Sequence, residues 1–330
     1  MGWTERLWYR LSPWHLLLLP LSALFRLLAA ARRGLYRSGI LPSYRLAVPV
    51  VVVGNITVGG AGKTPLVLWL ARFFSELGFH PGIVSRGYAS AACAPRAVTP
   101  TSDPAHCGDE PLLLARRSRC PVWVGANRVA VAQALLKAEP QCNLLLCDDG
   151  LQHYRLRRDV EIAVVDGARG FGNGLLLPAG PLREGITRLR SVDAVVVNGA
   201  GAVSGYAMSL VGNVFRNLAD ASLTADAAQF HGMQLHAVAG IGNPQRFFDH
   251  LRGLGLNIEA HPFPDHHRYR PEELVFPGAD ALLMTEKDAV KCAAFAAPNW
   301  WMLAVEAQVD AALGEKILEK LRKSNGRQIT

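Results

Sequence analysis

The sequence predicts an α/β protein: a mostly parallel sheet flanked by helices, a smaller α/β domain behind it, and a lone apolar helix in front. Three observations predict it. Short apolar runs alternate with helical patterns, as stacked strand–helix units require. A glycine-rich loop, Gly54–Pro65, separates the first such run from the first helix. An oily stretch with few charges precedes both. The 330 residues exceed what one core usually supports, and 50% hydrophobic with 19% charged residues excludes a disordered chain. The expected division is a membrane-associated helix over 1–40, a phosphate-loop core over 41–205, a β-ribbon-like connector over 206–231 and a smaller α/β domain over 232–330.

The first element runs from Trp14 to Ala31, with Trp3, Trp8 and Tyr9 before it and Arg32, Arg33 and Arg37 after it. Aromatic and basic flanks suit a membrane interface. Pro20 and Arg26 interrupt the run, and a centred arginine costs about 2.5–3.5 kcal/mol on insertion. Lying in the interface is the easier arrangement, because each buried Leu or Phe returns about 1.5–3 kcal/mol while Arg26 snorkels. A cleaved signal peptide or an ordinary buried helix are the alternatives.

Val48 to Val53 reads as a buried strand, and Leu66, Leu70, Phe73 and Leu77 mark one face of the helix after the loop. Strands follow at Gly82–Ser85, Pro121–Val124, Leu144–Cys147, Val160–Val165 and Val192–Val197. Tyr206 to Phe230 alternates weakly and reads as the connector. The second domain repeats the strand–helix pattern: Leu235–Ile241, a helix at Pro244–Leu254, Ala281–Met284, a helix through Val290, Trp301–Val305 and a last helix near Asp310–Lys323.

The loop carries the chemistry. A phosphate loop wraps backbone N–H groups around phosphates, with a lysine on the outer phosphates and a hydroxyl on Mg²⁺. Gly62, Lys63 and Thr64 fit its second half, Gly59, Gly60 and Ala61 supply the turn, and Thr57 stands where the strict pattern has glycine. Asp148 and Asp149 end the run Leu144–Cys147, where a carboxylate completes the Mg²⁺ shell opposite Thr64. ATP with Mg²⁺ is therefore the expected cofactor. No N-K-x-D segment for guanine is present, and Val58 stands where partition-type ATPases carry lysine.

The excess of 35 Lys+Arg over 27 Asp+Glu gives +8 and suits an anionic partner. No basic stretch is interleaved with aromatics, so nucleic acid is not expected. The six cysteines form no C-x-x-C pair and read as reduced structural thiols, not zinc ligands.

Taken together, the motifs resemble one family, the tetraacyldisaccharide 4'-kinases of lipid A biosynthesis. The resemblance rests on the loop itself, Ser85-Arg-Gly-Tyr88, Gly108-Asp-Glu-Pro111, Asp148-Asp-Gly-Leu-Gln-His153 and Gly170-Phe-Gly-Asn-Gly174. It continues through Leu177-Pro-Ala-Gly-Pro-Leu-Arg-Glu184, Ala239-Gly-Ile-Gly-Asn-Pro244, Asp265-His266 and Thr285-Glu-Lys-Asp-Ala-Val-Lys291, in order from Gly54 to Lys291. It makes Thr57 a family trait. It implies transfer of the ATP γ-phosphate to the 4'-hydroxyl of tetraacyldisaccharide 1-phosphate, giving lipid IVA, at the cytoplasmic face of the bacterial inner membrane. The lipid and the membrane surface are the implied partners, and no feature calls for an obligate protein partner.

The resemblance also assigns roles. Asp109 becomes the base for the attacking hydroxyl and His266 its assistant, a pairing that tunes a weak carboxylate base. Glu110 joins Thr64, Asp148 and Asp149 near the metal, Gln152 and His153 become active-site neighbours, and Arg183 grips phosphate. Read alone, Asp109 is a helix cap, Arg183 an ion-pair partner of Glu184, and Lys287, Asp288 and Lys291 a charged surface or an interdomain ion pair. Read alone, His261, Asp265, His266 and His267 are a solvated polar loop or an adventitious metal site, with His261 and His267 taken as loop residues, and Gly240 and Gly242 form a tight turn against ligand or a strand-to-helix turn. Closure of the cleft is expected to bring His266 to Asp109. The competing function is a membrane-associated phosphate-loop ATPase switch that binds protein partners.

Overall fold

The computed structural model describes residues 8–9, 12–87 and 94–325; Trp3, Tyr88 and Cys93 lie outside them. The first described long helix, α1 (Trp14–Arg37), precedes β1 (Val50–Gly54), α2 (Lys63–Glu76), β2 (Pro81–Ser85) and β3 (Arg96–Val98). Then come α3 (Pro104–Cys107), α4 (Asp109–Ser118), β4 (Val122–Val124), α5 (Arg128–Ala138), β5 (Leu144–Asp148), β6 (Val160–Asp166) and β7 (Ala194–Asn198). The rest of the chain forms β8 (Tyr206–Asn217), β9 (Thr224–Asp226), β10 (Leu235–Ala239), α6 (Pro244–Gly253), β11 (Ile258–Pro262), β12 (Ala281–Thr285), α7 (Glu286–Cys292), β13 (Trp300–Val309) and α8 (Ala311–Asn325).

These strands make one 13-stranded sheet, in the order β11-β10-β12-β13-β8-β7-β6-β1-β5-β2-β4-β3 with β9 paired to β8. The central strands β1, β2 and β5 are buried at every position, so they read as unbroken apolar runs. Pairing is parallel from β7 through β6, β1, β5 and β2 to β4, and again among β11, β10, β12 and β13. Strand β8 carries the sheet from one parallel set to the other, running parallel to β7 and antiparallel to β13. The ribbon expected within 206–231 thus has its main partner far along the chain, at Trp300–Val309.

Helix α2 buries Leu66, Val67, Leu70, Ala71 and Phe74 against the sheet. The face is rotated from the one read in the sequence: Phe74 is buried in place of Phe73, and Leu77, beyond the helix end, is 49% exposed. His261, expected in a loop, lies within β11, because the run Ile258–Pro262 pairs in parallel with β10.

Helix α1 is amphipathic in an inverted sense. His15 and Ser22 are buried, with Leu18, Phe25, Ala29, Arg33 and Tyr36 half-buried at helical spacing along the same stripe. Polar bonds fix that stripe to the body: Ser22 Oγ donates to Leu176 O at 2.8 Å, and Arg33 donates to Ser191 Oγ at 2.8 Å. Leu16, Leu17, Leu24, Leu27 and Leu28 point outward, each more than half exposed.

The two parallel sets meet over the glycine-rich loop. Arg246 donates to Asp166 at 2.6 Å, Asn243 donates to the same carboxylate at 3.3 Å, and Arg169 donates to the Gly242 carbonyl. Gly242 packs so closely on the loop that a Cβ there would stand 2.1 Å from Gly60 N. No other residue fits without moving the backbone. Gly242→Ala is therefore expected to destabilise the protein by about 1–3 kcal/mol, the usual size of an overpacking penalty. A chemical denaturation midpoint equal to that of the parent would refute the contact.

Candidate active site

The phosphate loop is shaped by its glycines. Gly59 and Gly62 take left-handed φ values of 102° and 96°, and Gly62 caps α2, so Lys63 and Thr64 open that helix. Thr57 is not among the residues of positive φ, so its position has no need of glycine. It forms an isolated bridge with Leu182, and its hydroxyl accepts from Asn55 Nδ2 at 3.4 Å. Asn55 also donates to Gly59 O at 3.2 Å, and Asn198, buried, donates to Ala61 O at 3.1 Å. The loop's curvature is thus held by two amide side chains, one of them from a distant strand.

Strand β5 delivers Asp148 and Asp149 to the loop's edge. Asp148 is 1% exposed and accepts from Ser85 Oγ at 3.1 Å, while its Oδ1 is buried without a hydrogen-bond partner among the described residues. Burial, then the nearby Glu110 charge, pushes its carboxyl up to about 7 against the pull of Lys63. Asp149, in a left-handed conformation at φ 48°, lies 3.6 Å from Lys63 Nζ and 3.1 Å from Arg183 Nη1. Burial opposes ionisation there too, yet Lys63 and Arg183 hold it down to about 2.

An orphaned carboxylate oxygen, with Asp149 and Glu110 lining the same cavity, is a hard oxygen set of the kind Mg²⁺ takes together with substrate phosphates. A cation there would supply the counter-charge that burial denies Asp148. Thr64 lines an adjoining cavity that shares Gly60, Lys63, Glu110 and Gly242 with this one.

Across the cleft, His266 Nδ1 is 3.0 Å from Asp109 Oδ2 and 3.1 Å from Oδ1. The contact expected to need closure of the cleft is thus made in this structure. Asp109 is the first residue of α4 after Gly108, whose φ is 90°, and it lies buried at the helix start. Burial would raise its pKa, but the His266 hydrogen bond and the Lys287 charge outweigh this and bring it to about 2. Burial likewise opposes the charged form of His266, and Asp109 overrides it, so the imidazole titrates above its ordinary value. His266 sits in the left-handed region at φ 60°, a conformation uncommon outside glycine and tolerated at functional positions.

Lys287 binds both sides. Its Nζ lies 2.9 Å from Glu110, 3.1 Å from Asp265 and 3.9 Å from Asp109. Asp288 and Lys291, from the same segment, instead brace the second half. Asp288 is fully buried and accepts from Gly240 N at 3.1 Å, Thr285 Oγ1 at 2.6 Å and Tyr269 OH at 3.1 Å, with Lys291 Nζ 2.7 Å away.

Gln152 and His153 lie beside the loop's support. Gln152 donates to Asn55 O at 3.1 Å and Glu184 Oε1 at 2.8 Å. His153 Nε2 accepts from Arg128 N at 3.2 Å, and burial with the Arg128 charge lowers its pKa to about 4, so it stays neutral. Arg183 pairs with Asp149, while Glu184 is bound by Gln152, Tyr154 and Arg188. Ser85, Asn198, Arg169 and Gly242 enter the site from segments that sequence reasoning did not select for it. Ser85 and Gly242 stood in quoted motifs, but nothing local marks Asn198 or Arg169. Trp8 and Tyr9, from the oily start, also line the cavity that holds Asp109 and Asp148.

Residues 14–322 match the family described as Tetraacyldisaccharide-1-P 4'-kinase. The tetraacyldisaccharide 4'-kinase of Methylobacillus flagellatus is 51% identical over 328 residues, covering 99% of this chain and 98% of that one. That of Aromatoleum aromaticum is 54% identical over 314 residues, covering 92% and 93%. A crystal structure of LpxK from Aquifex aeolicus in complex with ATP superposes with a TM-score of 0.76 at 26% identity, covering 92% of this chain and 98% of that one. Such whole-length agreement leaves the partner-binding ATPase switch without support. The chain belongs to the tetraacyldisaccharide-1-P 4'-kinase family.

Proposed function

We propose that the protein transfers the ATP γ-phosphate to the 4'-hydroxyl of tetraacyldisaccharide 1-phosphate, with Asp109 as the group that receives the hydroxyl proton. The observation that carries this reading is the Asp109–His266 contact, made between the two halves beside the phosphate loop. Phosphoryl transfer asks the protein mainly for positioning and charge neutralisation. The backbone of Gly59–Gly62 and the Lys63 ammonium hold the phosphates, and Arg183 lies beside them through Asp149. Asp148, Asp149, Glu110 and Thr64 are the residues that would hold Mg²⁺, whose charge offsets that of the phosphate chain.

Asp109, brought to about 2 by the His266 hydrogen bond and the Lys287 charge, is too weak a base for a sugar hydroxyl unless it can pass the proton on. Paired with a neutral His266 it gains an acceptor for the proton it takes up; paired with an imidazolium it gains none. The two groups titrate as a unit, and the working state is the one in which that unit has lost its His266 proton.

We also place the outward leucines of α1 in the lipid interface on the cytoplasmic side, where ATP is available. The apolar face turned away from the body supports this, as does the need to reach an acylated substrate without extracting it.

Three outcomes test the reading. Asp109→Asn is expected to lower kcat for ³²P transfer from ATP to the purified lipid in detergent by about 10²–10⁴-fold, the usual worth of a positioned base. Full kcat in that variant would remove the assignment. In the parent, kcat/KM is expected to rise with pH through a limb centred above 6.5, because protonated His266 is the inactive form and its pKa is raised from that value. A profile with the same limb in His266→Gln would assign it to another group. Deleting residues 1–37 is expected to move the protein from the membrane to the soluble fraction on centrifugation, and unchanged recovery with membranes would place the anchor elsewhere.

A further inference from the structure

A second cluster of ligand-type side chains lies away from the phosphate loop, at the far edge of the sheet. Among the described residues, His236 on β10 and Glu259 and His261 on the edge strand β11 bring one donor atom each to a common point. The parallel register sets His236 beside Glu259 and Val238 beside His261, and the period of two puts Glu259 and His261 on one face. His236 Nδ1 lies 2.9 Å from His261 Nε2, Glu259 Oε2 3.9 Å from the former, and Glu259 Oε1 3.7 Å from the latter. Metal bonds of about 2.0–2.1 Å in a tetrahedral shell put neighbouring ligand atoms roughly 3.3 Å apart. The two nitrogens stand closer than that, in a 2.9 Å hydrogen bond, and the carboxylate oxygens stand slightly farther, so capture of an ion needs the rings to part and one Glu259 oxygen to turn inward.

The rings are also held beforehand. Their planes lie within 10° of each other with centroids 5.1 Å apart, edge to edge through the 2.9 Å N···N contact, and both stack on Phe276, at 4.6 Å and 4.2 Å. Side-chain exposure is 13% for His236 and 23% for His261 but 68% for Glu259, so the nitrogens are sheltered while the carboxylate side stays open to water. One imidazole donates to the other across the 2.9 Å contact, and an ion would take the place of that shared proton. The donor chemistry differs from that at the phosphate loop: two imidazoles and one carboxylate suit zinc or a similar borderline ion, whereas the all-oxygen acids suit Mg²⁺.

We propose that His236, Glu259 and His261 form a three-ligand site for a divalent transition ion, zinc in preference, with water completing the shell. Such an ion pins the exposed edge strand β11 to β10. The strand leads directly into Phe263, whose ring packs 4.8 Å from His267, and so into the turn that carries His266. The site would therefore stiffen the base of that turn without touching the substrate.

The test uses the full-length protein, stripped with chelator and kept in excess Mg²⁺ so that the oxygen site is satisfied. Titration with Co²⁺, followed by Zn²⁺ displacement, is expected to give one equivalent with the visible bands of a tetrahedral nitrogen and oxygen shell, and Zn²⁺ is expected to raise Tm. His236→Ala and His261→Gln should each weaken binding at least tenfold and abolish the Tm shift, since even outer partners of a metal site are worth about 10–100-fold. Asp148→Asn should leave Co²⁺ binding as it is. Binding as tight as the parent's in a folded histidine variant, loss of binding in Asp148→Asn, or thiolate charge-transfer bands from a cysteine site would each overturn the proposal. Circular dichroism separates a misfolded variant from one that has lost only the ion, and the affinity of either folded histidine variant decides the matter.

Discussion

The catalytic cleft depends on where one ammonium group goes. Lys287 is shielded from water, and burial alone would drive it toward the neutral amine, but Glu110, Asp109 and Asp265 outweigh that and hold its pKa above the ordinary lysine range. Two of those carboxylates come from the start of α4 and the third from the turn after β11. The ion therefore ties the halves together at the point where His266 must reach Asp109. It also keeps three acids from repelling one another, which leaves Asp109 ionised and oriented. Arg246 on Asp166 repeats the device on the other side of the phosphate loop.

Much of the core was legible because its signals are local. Buried parallel strands read as apolar runs, and a glycine turn between strand and helix fixes where phosphates lie. The acids at the end of β5 follow from the same grammar, since ligands gather at the carboxyl ends of parallel strands. What escaped was non-local. The sequence reading puts Phe73 on the buried face of α2 where the structure puts Phe74, because both continue an apolar stripe and only the sheet decides which is buried. Strand β11 is only half-buried and carries Glu259 and His261 amid its short apolar residues, so its pattern contrasts little with that of a loop.

The site divides along the same line. Lys63, Thr64, Asp148 and Asp149 are marked by their own neighbours in sequence. Asp109 is not: alone it is indistinguishable from a helix-start acid, and only the likeness of the ordered motifs singled it out. Its contact with His266 spans 157 positions. Gly242 is harder still, because a glycine in a strand-to-helix turn is ordinary, and its necessity comes from the Gly60 backbone lying against it. Neither segment by itself contains that steric fact.

The oily helix and the phosphate loop are tied more closely than their separation along the chain suggests. Ser22 of α1 is bonded to Leu176, Leu176 bridges to Leu182, and Leu182 bridges to Thr57. Arg183, next in the chain, donates its N–H to Ile56 O at 2.7 Å and its guanidinium to Asp149. Trp8 adds a second tie, donating to Pro178 O at 3.0 Å. Residues 173–183 are thus a short strut whose outer end docks the apolar helix and whose inner end sets the loop and its acid. Thr57 is what the strut grips. A glycine at that position would free the backbone and remove the hydroxyl that Asn55 holds, loosening the loop where the strut from α1 is attached. The departure from the strict phosphate-loop pattern follows from that attachment: Thr57 is the residue through which the strut from α1 reaches the loop.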